Sequence, residues 1–506
     1  MSVLPKSLAK DFGHRPDLVA HLAPWQSRAH IGAEKGPPMT IVFDNSYARD
    51  LPGTYLRLAP DPAPNPRLLV FNQQLADRLG LTLDGEQATR WFSGASLPPG
   101  ADPIAQAYAG HQFGGFSPQL GDGRAHLLGE ILAPDGQRFD LQLKGSGRTP
   151  FSRGGDGKAA IGPMLREYLI SEAMAALGVP TTRSLAVVAT GEDVWRDTKL
   201  PGAVLTRVAA SHLRVGTFQF FAARGDKAQL KALADYAIAR HDPDLLRATN
   251  PTLAFLDAVI DRQVRLIAEW MGLGFIHGVM NTDNMAISGE TIDYGPCAFM
   301  EGYGPGTVFS SIDHQGRYAY ANQPVILGWN LARLAETLVP LIDPDPDRAV
   351  DLASSLLEGI AGRYRNAWLA LMRRKLGLAG EDAGDAALAD DLMTAMVGAD
   401  WTLTFHRLGT PAALRPLFED FTAMEAWLPR WRARTGEGTQ GHMAKANPAV
   451  IPRNHQVEAA LTAATAGDMA PFEALLTAIR EPFVEREAFM LPAPSAFGSY
   501  VTYCGT

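Results

Sequence analysis

Residues 274–296 have the sequence GFIHGVMNTDNMAISGETIDYGP, which contains residue types that can hold phosphate groups and the metal ions bound to them. In protein kinases, a catalytic loop of the form H-R-D-x-x-x-x-N precedes a metal-binding D-F-G motif. Here His277 is followed by glycine and valine, so the usual catalytic aspartate is missing. Asn284 falls at the metal-binding asparagine, and Asp293 opens a D-Y-G sequence in place of D-F-G. The segment favours a nucleotide enzyme but not an ordinary kinase.

Asp283, directly before Asn284, is a carboxylate that can accept a proton, although a loop aspartate can instead cap a helix or support other site residues. The side chains of Asn284 and Asp293 offer hard oxygen ligands, which suit Mg²⁺ or Mn²⁺ rather than zinc. A zinc site needs three or four ligands, and the sequence contains neither H-E-x-x-H nor C-x-x-C. His111 and His277 are therefore predicted to be structural histidines.

Nucleotide phosphates also need cations around them, and lysine and arginine side chains near predicted strand ends can supply these. Lys144 ends a predicted strand and is expected to pair with Glu167 on the next helix, as the strand lysine and helix glutamate of kinases do. Glu172 is the competing partner, and helical spacing allows only one of the two to face Lys144 well. Arg207 and Arg214 can hold phosphate oxygens in a forked geometry, although either could instead pair with a structural carboxylate.

A glycine-rich sequence, Gly121-Asp122-Gly123-Arg124, comes directly before the first of these strands. A phosphate-binding loop occupies that position in kinases. This segment lacks the full G-x-G-x-x-G pattern, however, and an ordinary turn is the alternative. Because several independent elements of a kinase-like phosphate site occur in the order that kinases have, the sequence as a whole predicts a nucleotide-phosphate site.

The elements that position these residues are predicted to form a sheet with one helix against it. A Pro-Asp-Gly turn between two β-rich runs predicts a hairpin over 124–146. Apolar spacing predicts a helix over 164–177, and strand-like runs follow at 184–189 and 203–208. The first half of the chain is therefore expected to be sheet-rich.

Helices are predicted to dominate the second half. An Asn-Pro start signal predicts a helix over 251–271, directly ahead of the loop. Residues 284–287 and 291–294 are predicted to form a short hairpin, which would hold the two metal ligands close together. Later helices are predicted at 331–338, 349–376, 387–397 and in two segments within 456–479, with a solvated acidic loop over 377–391.

The expected fold class is α+β. With 506 residues, the chain exceeds what one hydrophobic core usually supports. Four parts are expected: a poorly ordered arm over 1–39, a nucleotide-binding N-lobe region over 40–210, a C-lobe with the catalytic and metal loop over 211–340, and a helical extension with a cysteine-containing tail over 341–506.

The composition is that of a globular protein, with 46% hydrophobic and 20% charged residues. A net charge of -8 argues against general nucleic-acid binding, because that affinity comes from a basic surface. No run of about 18 apolar residues would span a membrane, and the first residues lack the apolar core of a signal peptide. We therefore expect a cytoplasmic protein with neither nucleic acid nor a membrane as partner.

Several long strings in the chain resemble the selenoprotein O group of protein adenylyltransferases. They are AYAGHQFGGFSPQLGDGRAHLLGE, LQLKGSGRTPFSRGGDGKA, SHLRVGTFQ, HGVMNTDNM, IDYGPCAFM and the ending YCGT, and the resemblance runs from Phe43 to the C-terminus. It implies a protein-kinase-like, two-lobed fold with additional C-terminal helices, in which ATP binds in a flipped orientation. AMP, rather than the terminal phosphate, would then be transferred to Ser, Thr or Tyr hydroxyls of proteins, including the enzyme itself, with release of pyrophosphate.

The resemblance also assigns roles to residues. It implies that Asp283 is the base and that Asn284 and Asp293 hold Mg²⁺ or Mn²⁺. Lys144 and Glu167 would form the catalytic ion pair. The residues implied to contact the nucleotide are Gly121, Gly123, Arg124, Lys144, Asp156, Gly157, Arg207 and Arg214.

The chain has two cysteines, Cys297 and Cys504, which are too few for a disulfide scaffold. They are either unrelated thiols or a redox pair, because Cys297 directly follows the D-Y-G-P sequence and Cys504 lies in a tail that could reach it. The resemblance favours a disulfide, since some members of the group bond a cysteine at this turn to one near the C-terminus. Cys504 stands where animal members have selenocysteine, and a thiol is the weaker nucleophile near neutral pH.

Two other functions remain open on the sequence. The pattern H-G-x-x-x-x-D-N followed by I-D-Y-G also resembles aminoglycoside-type kinases, which would transfer the γ-phosphate of ATP to a small molecule or protein. A non-catalytic ATP-sensing scaffold would bind ATP and transfer no group.

Overall fold

In a computed structural model that describes residues 41–435 and 440–503, the first half of the chain forms a seven-stranded antiparallel sheet. The strands of the described residues are β1 (Tyr55–Arg57), β2 (Arg67–Phe71), β3 (Ile104–Gln106), β4 (Gly110–Gln112), β5 (Gly115–Ser117), β6 (Ala125–Leu132), β7 (Arg138–Lys144), β8 (Arg183–Trp195), β9 (Lys199–Ala209), β10 (Phe275–Ile276) and β11 (Ala298–Phe299). The order in the sheet is β1-β3-β6-β7-β9-β8-β2, while β4 pairs with β5 and β10 with β11. The predicted arm over 1–39 lies outside the described residues.

The central hairpin of the sheet follows the sequence prediction. The hairpin predicted over 124–146 is confirmed as β6 and β7, in which Ala125 lies opposite Lys144. The strands predicted at 184–189 and 203–208 are confirmed but are longer, since β8 and β9 continue as a ribbon between them. This ribbon has the sequence GEDVWRDTKLPG, in which polar residues obscure the alternation that marks a strand.

Helices make up most of the second half of the described residues, and four others lie beside the sheet in the first half. They are α1 (Ser46–Asp50), α2 (Gln73–Arg78), α3 (Gly85–Phe92), α4 (Ile161–Ala176), α5 (Val215–Ala222), α6 (Lys227–His241), α7 (Pro251–Leu273), α8 (Gln323–Ile342), α9 (Pro346–Glu358), α10 (Ile360–Leu376), α11 (Asp385–Ala395), α12 (Trp401–His406), α13 (Pro411–Leu414), α14 (Thr422–Thr435), α15 (Gln440–Ala446), α16 (Asn454–Thr465), α17 (Ala470–Arg480) and α18 (Glu487–Met490). The helices predicted over 164–177 and 251–271 are confirmed as α4, which packs on β8 and β9, and α7. Asn250 caps α7 by accepting a hydrogen bond from Leu253 N–H at 3.0 Å. The predicted α+β class, sheet-rich first and helical afterwards, is confirmed.

Two predictions about the later helices are wrong in part. The helix predicted over 349–376 is two helices, α9 and α10, because Gly359, a weak helix former, interrupts it. The acidic segment predicted to be a solvated loop contains the start of α11, where Asp385 is fully buried. Asp385 accepts hydrogen bonds from Arg373 Nε at 2.8 Å and Arg434 Nε at 2.7 Å, so ion pairs replace the expected solvent contacts.

The short hairpin predicted from residues 284–287 and 291–294 is also wrong. Ala286 pairs with Arg214 instead, and Thr291 pairs with Thr181. The turn residues between the two halves suggested local pairing, but each half finds a partner that is distant in the sequence. Both ends of the loop between these residues are therefore paired with other segments of the chain. This pairing fixes the backbone that carries the polar side chains of the loop.

One helical segment among the described residues, Tyr320–Ile342, is long and apolar enough to cross a membrane by length and composition alone. Within its most apolar window, 50% of the residues are buried in the protein, where α8 packs against α5 and α7. Because the core helix of a soluble protein passes the same test, this segment is weak support for a membrane span.

Candidate active site

A cleft of about 1310 Å³ lies beside β6, β7 and β9, and it is also lined by α4, by the loop after α7 and by the C-terminal tail. Every residue predicted to bind nucleotide or metal, or to take part in catalysis, lines this cleft. These residues are Gly121, Gly123, Arg124, Lys144, Asp156, Gly157, Glu167, Arg207, Arg214, Asp283, Asn284 and Asp293. The fold thus brings together parts that are far apart in the sequence.

Three cations converge on the carboxylate of Asp293. Lys144 Nζ lies 2.5 Å and Arg207 Nη1 lies 2.8 Å from Oδ1, and Arg214 Nη1 lies 2.8 Å from Oδ2. Burial alone would raise the pKa of Asp293, but the three cations hold this pKa well below its usual value. The backbone of Asp293 has a φ of +65°, a left-handed conformation that is uncommon for residues other than glycine. The result is one ionised carboxylate held inside a cluster of positive charge.

The predicted contact between Lys144 and Glu167 is confirmed, with Nζ and Oε2 2.6 Å apart. Lys144 ends β7 and Glu167 lies on α4, so this ion pair joins the sheet to the helix. Arg207 Nη1 lies 3.2 Å from the other oxygen of Glu167. The alternative partner is wrong, because Glu172 pairs with Arg183 at 2.7 Å on a different side of α4.

Asp283 lies in a 3-10 helix, Thr282–Asn284, beneath the β4–β5 hairpin. Gln112 Nε2 donates a hydrogen bond to Asp283 Oδ2 at 3.1 Å. Asp283 Oδ1 is buried and has no hydrogen-bond partner among the described residues. Burial raises the pKa of Asp283 to about 6, although the charge of Arg214 opposes this. Asp283 lines the cleft, so its carboxylate lies close to any substrate that is bound there.

Asn284 and Asp293 have the chemistry of a magnesium or manganese site. The amide nitrogen of Asn284 donates a hydrogen bond to Val279 O at 2.9 Å, which leaves its oxygen to act as a ligand. In the described part of the chain, no group of three or more His, Cys, Asp or Glu side chains is placed to hold a metal ion by itself. Mg²⁺ usually binds through one or two protein carboxylates together with substrate phosphates, so these two residues fit a metal that arrives with a nucleotide.

The glycine-rich loop before β6 bends over Phe151. Gly121 has a φ of +99°, and a Cβ there would collide with the Phe151 ring, so glycine is required. Asp122, for which the sequence predicted no role, is buried and accepts hydrogen bonds from Gln106 N–H at 3.1 Å and Gln142 Nε2 at 3.2 Å. Burial raises the pKa of Asp122 to about 6. Asp122 therefore fixes the loop to β3 and β7.

The Asp156-Gly157 segment forms a second wall of the cleft. The carboxylate of Asp156 lies 2.8 Å from Arg196 Nη1 and accepts a hydrogen bond from Lys158 N–H at 2.9 Å. Gly157 has a φ of +70°, and its carbonyl accepts a hydrogen bond from Gly147 N–H at 3.0 Å. The side chain of Asp156 thus organises its own loop, while its contact with a nucleotide stays a prediction.

Both histidines make the contacts expected of structural residues. The ring of His277 stacks on Trp270, with 5.2 Å between centroids, and its Nε2 lies 2.9 Å from Ile292 O. His111 Nδ1 lies 2.8 Å from the amide nitrogen of Gln219. Burial lowers the pKa of both imidazoles, which favours their neutral forms.

The C-terminal tail reaches the loop that carries Asp293. Thr502 Oγ1 donates a hydrogen bond to Pro296 O at 2.7 Å. Arg166 on α4, which the sequence did not single out, donates to Cys297 O at 2.5 Å and to Tyr500 OH at 3.2 Å. In the sequence, Arg166 stands out only as an arginine next to Glu167 on a largely apolar helix.

Cys297 is buried at the end of the D-Y-G-P turn. Burial raises the pKa of its thiol to about 12, so the thiol is protonated near neutral pH. Cys504 lies outside the described residues, and the disulfide implied between the two cysteines therefore stays a prediction.

Comparison with known proteins shows the family of this chain and several individual proteins to which it is similar. The profile of the family described as "Protein adenylyltransferase SelO" matches residues 37–480, and the chain belongs to this family. It is 64% identical over 481 residues to a protein nucleotidyltransferase YdiU of Cereibacter sphaeroides (strain ATCC 17029 / ATH 2.4.9), covering 92% of this chain and 100% of the relative. The protein nucleotidyltransferase YdiU of Rhizobium rhizogenes (strain K84 / ATCC BAA-868) is 55% identical over 495 residues, which are 93% of this chain and 98% of that protein. The predicted family and the predicted enzyme class, protein nucleotidyltransferase, are confirmed.

Proposed function

We propose that this protein transfers AMP from ATP to Ser, Thr or Tyr hydroxyl groups of other proteins and of itself, using Mg²⁺ or Mn²⁺, and that its sheet-rich and helical parts act as kinase-like lobes. The observation that carries the proposal is the link made by Arg214. Its Nη1 donates to the carbonyl oxygen of Asp283 at 2.7 Å and lies 2.8 Å from Asp293 Oδ2. A proton acceptor and a phosphate-binding cluster are therefore fixed side by side, as a transfer to a hydroxyl requires.

In the proposed reaction, the acceptor oxygen attacks the α-phosphorus of ATP. A new P–O bond forms as the bond from the α-phosphorus to the bridging oxygen breaks, and pyrophosphate leaves with that electron pair. Asp283 takes the hydroxyl proton, and Lys144 with the two arginines, Arg207 and Arg214, neutralises charge on the phosphate oxygens. A metal held by Asn284 and Asp293 would supply further charge stabilisation when bound.

The position of the transferred label distinguishes AMP transfer from its alternatives. We expect protein to be labelled when ATP carries the label on its α-phosphate, in the presence of Mg²⁺ or Mn²⁺, and not when the label is on the γ-phosphate. Filter binding and gel autoradiography of purified protein with soluble acceptor proteins would measure this. Label from the γ position alone would make the protein a kinase, and ATP binding without any labelling would favour a sensing scaffold.

Glu167 and Glu172 offer a matched pair of variants on one helix. We expect Glu167→Gln to lower the rate of AMP transfer on the order of tenfold or more, because Lys144 and Arg207 lose the carboxylate that holds them, and a charge-assisted hydrogen bond is worth about 1.5–3 kcal/mol. Glu172→Gln breaks a comparable buried pair with Arg183, so its main effect should be a lower melting temperature. Transfer rates measured well below both melting temperatures would test this. Equal rates for the two variants would contradict a specific role for Glu167.

A further inference from the structure

The β4–β5 hairpin, which covers Asp283, contains a residue that its turn does not favour. Its two-residue loop consists of Phe113, with a φ of +51°, and Gly114, with a φ of +86°. Such turns strongly prefer asparagine, aspartate or glycine at the first position, because a left-handed backbone is unfavourable for a bulky side chain. Phe113 is held there by a hydrogen bond from its N–H to Asn281 Oδ1 at 3.1 Å. Backbone strain kept in this way is typical of functional sites.

Large apolar side chains are exposed around this turn. Phe113, Phe116 and Ile312 are 37%, 42% and 46% exposed, respectively, and we call these three residues the apolar patch. Phe113 and Ile312 line the same cleft as Asp283, and Phe116 packs on the ring of His111 with 4.9 Å between centroids. The patch therefore continues from the cleft to the surface, where exposed apolar area commonly marks a binding site.

Arg317, which pairs with no carboxylate among the described residues, borders the apolar patch. The guanidinium of Arg317 lies 4.7 Å from the ring centroid of Trp329 and would be 3.7 Å from a Cβ on Gly114. Its Nε is buried without a hydrogen-bond partner, and the side chain forms no ion pair with any residue that the structure describes. A carboxylate on a bound partner would provide the missing negative charge.

We propose that the apolar patch and Arg317 form the docking surface for acceptor proteins. The preferred acceptor segment carries a large apolar residue beside the modified hydroxyl and an acidic residue near it. Gln112, from the same hairpin, donates a hydrogen bond to Asp283 Oδ2, so the hairpin that carries the apolar patch is joined to the proposed base. This inference rests on the proposed AMP transfer and names the chemistry of its acceptors.

Phe113→Asn provides a test that does not depend on a damaged fold, because asparagine suits the turn better than phenylalanine. The assay would use ATP labelled on its α-phosphate and, as acceptors, the soluble proteins of a bacterial lysate from which nucleotides have been removed. We expect labelling of these proteins to fall roughly tenfold, since a central aromatic residue often dominates an interface, with an unchanged Kd for ATP and an unchanged or higher melting temperature. Labelling equal to that of the unaltered protein would overturn the docking surface, and so would a parallel loss of ATP binding. Absence of labelling by the unaltered protein would instead overturn the proposed AMP transfer itself.

Arg317→Glu tests the charge preference by a gain that unfolding cannot produce. Modified sites in the same lysate proteins would be mapped by mass spectrometry for the unaltered protein and the variant. We expect acidic residues to be enriched near sites modified by the unaltered protein, and lysine or arginine to be enriched near sites modified by the variant. An identical distribution of flanking charge would overturn the role of Arg317.

Discussion

Asp293→Ala will abolish AMP transfer and will also destabilise the protein in the absence of nucleotide. Lewis-acid stabilisation by a metal supplies several kcal/mol, and each 1.36 kcal/mol is about tenfold in rate, so we expect a loss of roughly a thousandfold or more. The variant leaves Lys144, Arg207 and Arg214 around an empty position, and Glu167 still pairs with Lys144 and Arg207. Removing one partner of a buried ion pair typically costs about 3–5 kcal/mol, which a thermal melt would detect.

ATP should rescue the stability of this variant but not its activity. Without Asp293, the three cations lack the carboxylate that they shared, and the phosphates can replace its negative charge. We therefore expect ATP added without metal to raise the melting temperature more in the variant than in the unaltered protein. Asp400→Ala is a matched control, because Asp400 is a buried partner of Arg453 at 2.6 Å and does not line the cleft. It should lose stability and keep its transfer rate at low temperature. Normal labelling by the Asp293 variant would contradict the metal assignment.

Asp283→Asn will separate chemistry from nucleotide binding. Asparagine keeps an oxygen that can accept the hydrogen bond from Gln112, but it cannot take the hydroxyl proton. General-base catalysis contributes about 10²–10⁴-fold, so we expect kcat for AMP transfer to fall by this factor. The Kd for ATP, measured by calorimetry, should change little, because the phosphates are proposed to contact cationic side chains and not Asp283.

A control for this variant is again available at Asp400. Asp400→Asn makes the same chemical change in a buried carboxylate away from the cleft and should leave kcat unaltered at a temperature where the protein is folded. If Asp283→Asn retained a kcat within a few-fold of the unaltered protein, another group would have to accept the proton.

The sequence predicted the parts of the site that follow the order of kinase elements. The turn signal placed Lys144 at a strand end and apolar spacing placed Glu167 on the following helix, and the observed ion pair agrees. Long periodic elements such as α4 and α7 were predicted for the same reason. Asp293 was recognised from its place in D-Y-G, although nothing in the sequence indicated that three cations would meet at its carboxylate.

The features that were missed depend on contacts between distant segments. Ala286 and Thr291 were expected to pair locally, but they pair with Arg214 and Thr181, which periodicity within one segment cannot reveal. Gln112 became important only when the fold placed it over Asp283. Arg166 likewise gained its role from carbonyl groups and a tail hydroxyl that lie far from it along the chain.

The contact between Thr502 and the D-Y-G-P turn has a consequence for the nascent chain during its synthesis. Chains fold largely from the N-terminus as they are synthesised, so the sheet and most helices can form while later residues are still inside the ribosome. Thr502 and Tyr500 cannot then reach Pro296 and Arg166. The cleft of a nascent chain is therefore incomplete. The tail residues line it only after Tyr500 and Thr502 have left the ribosome.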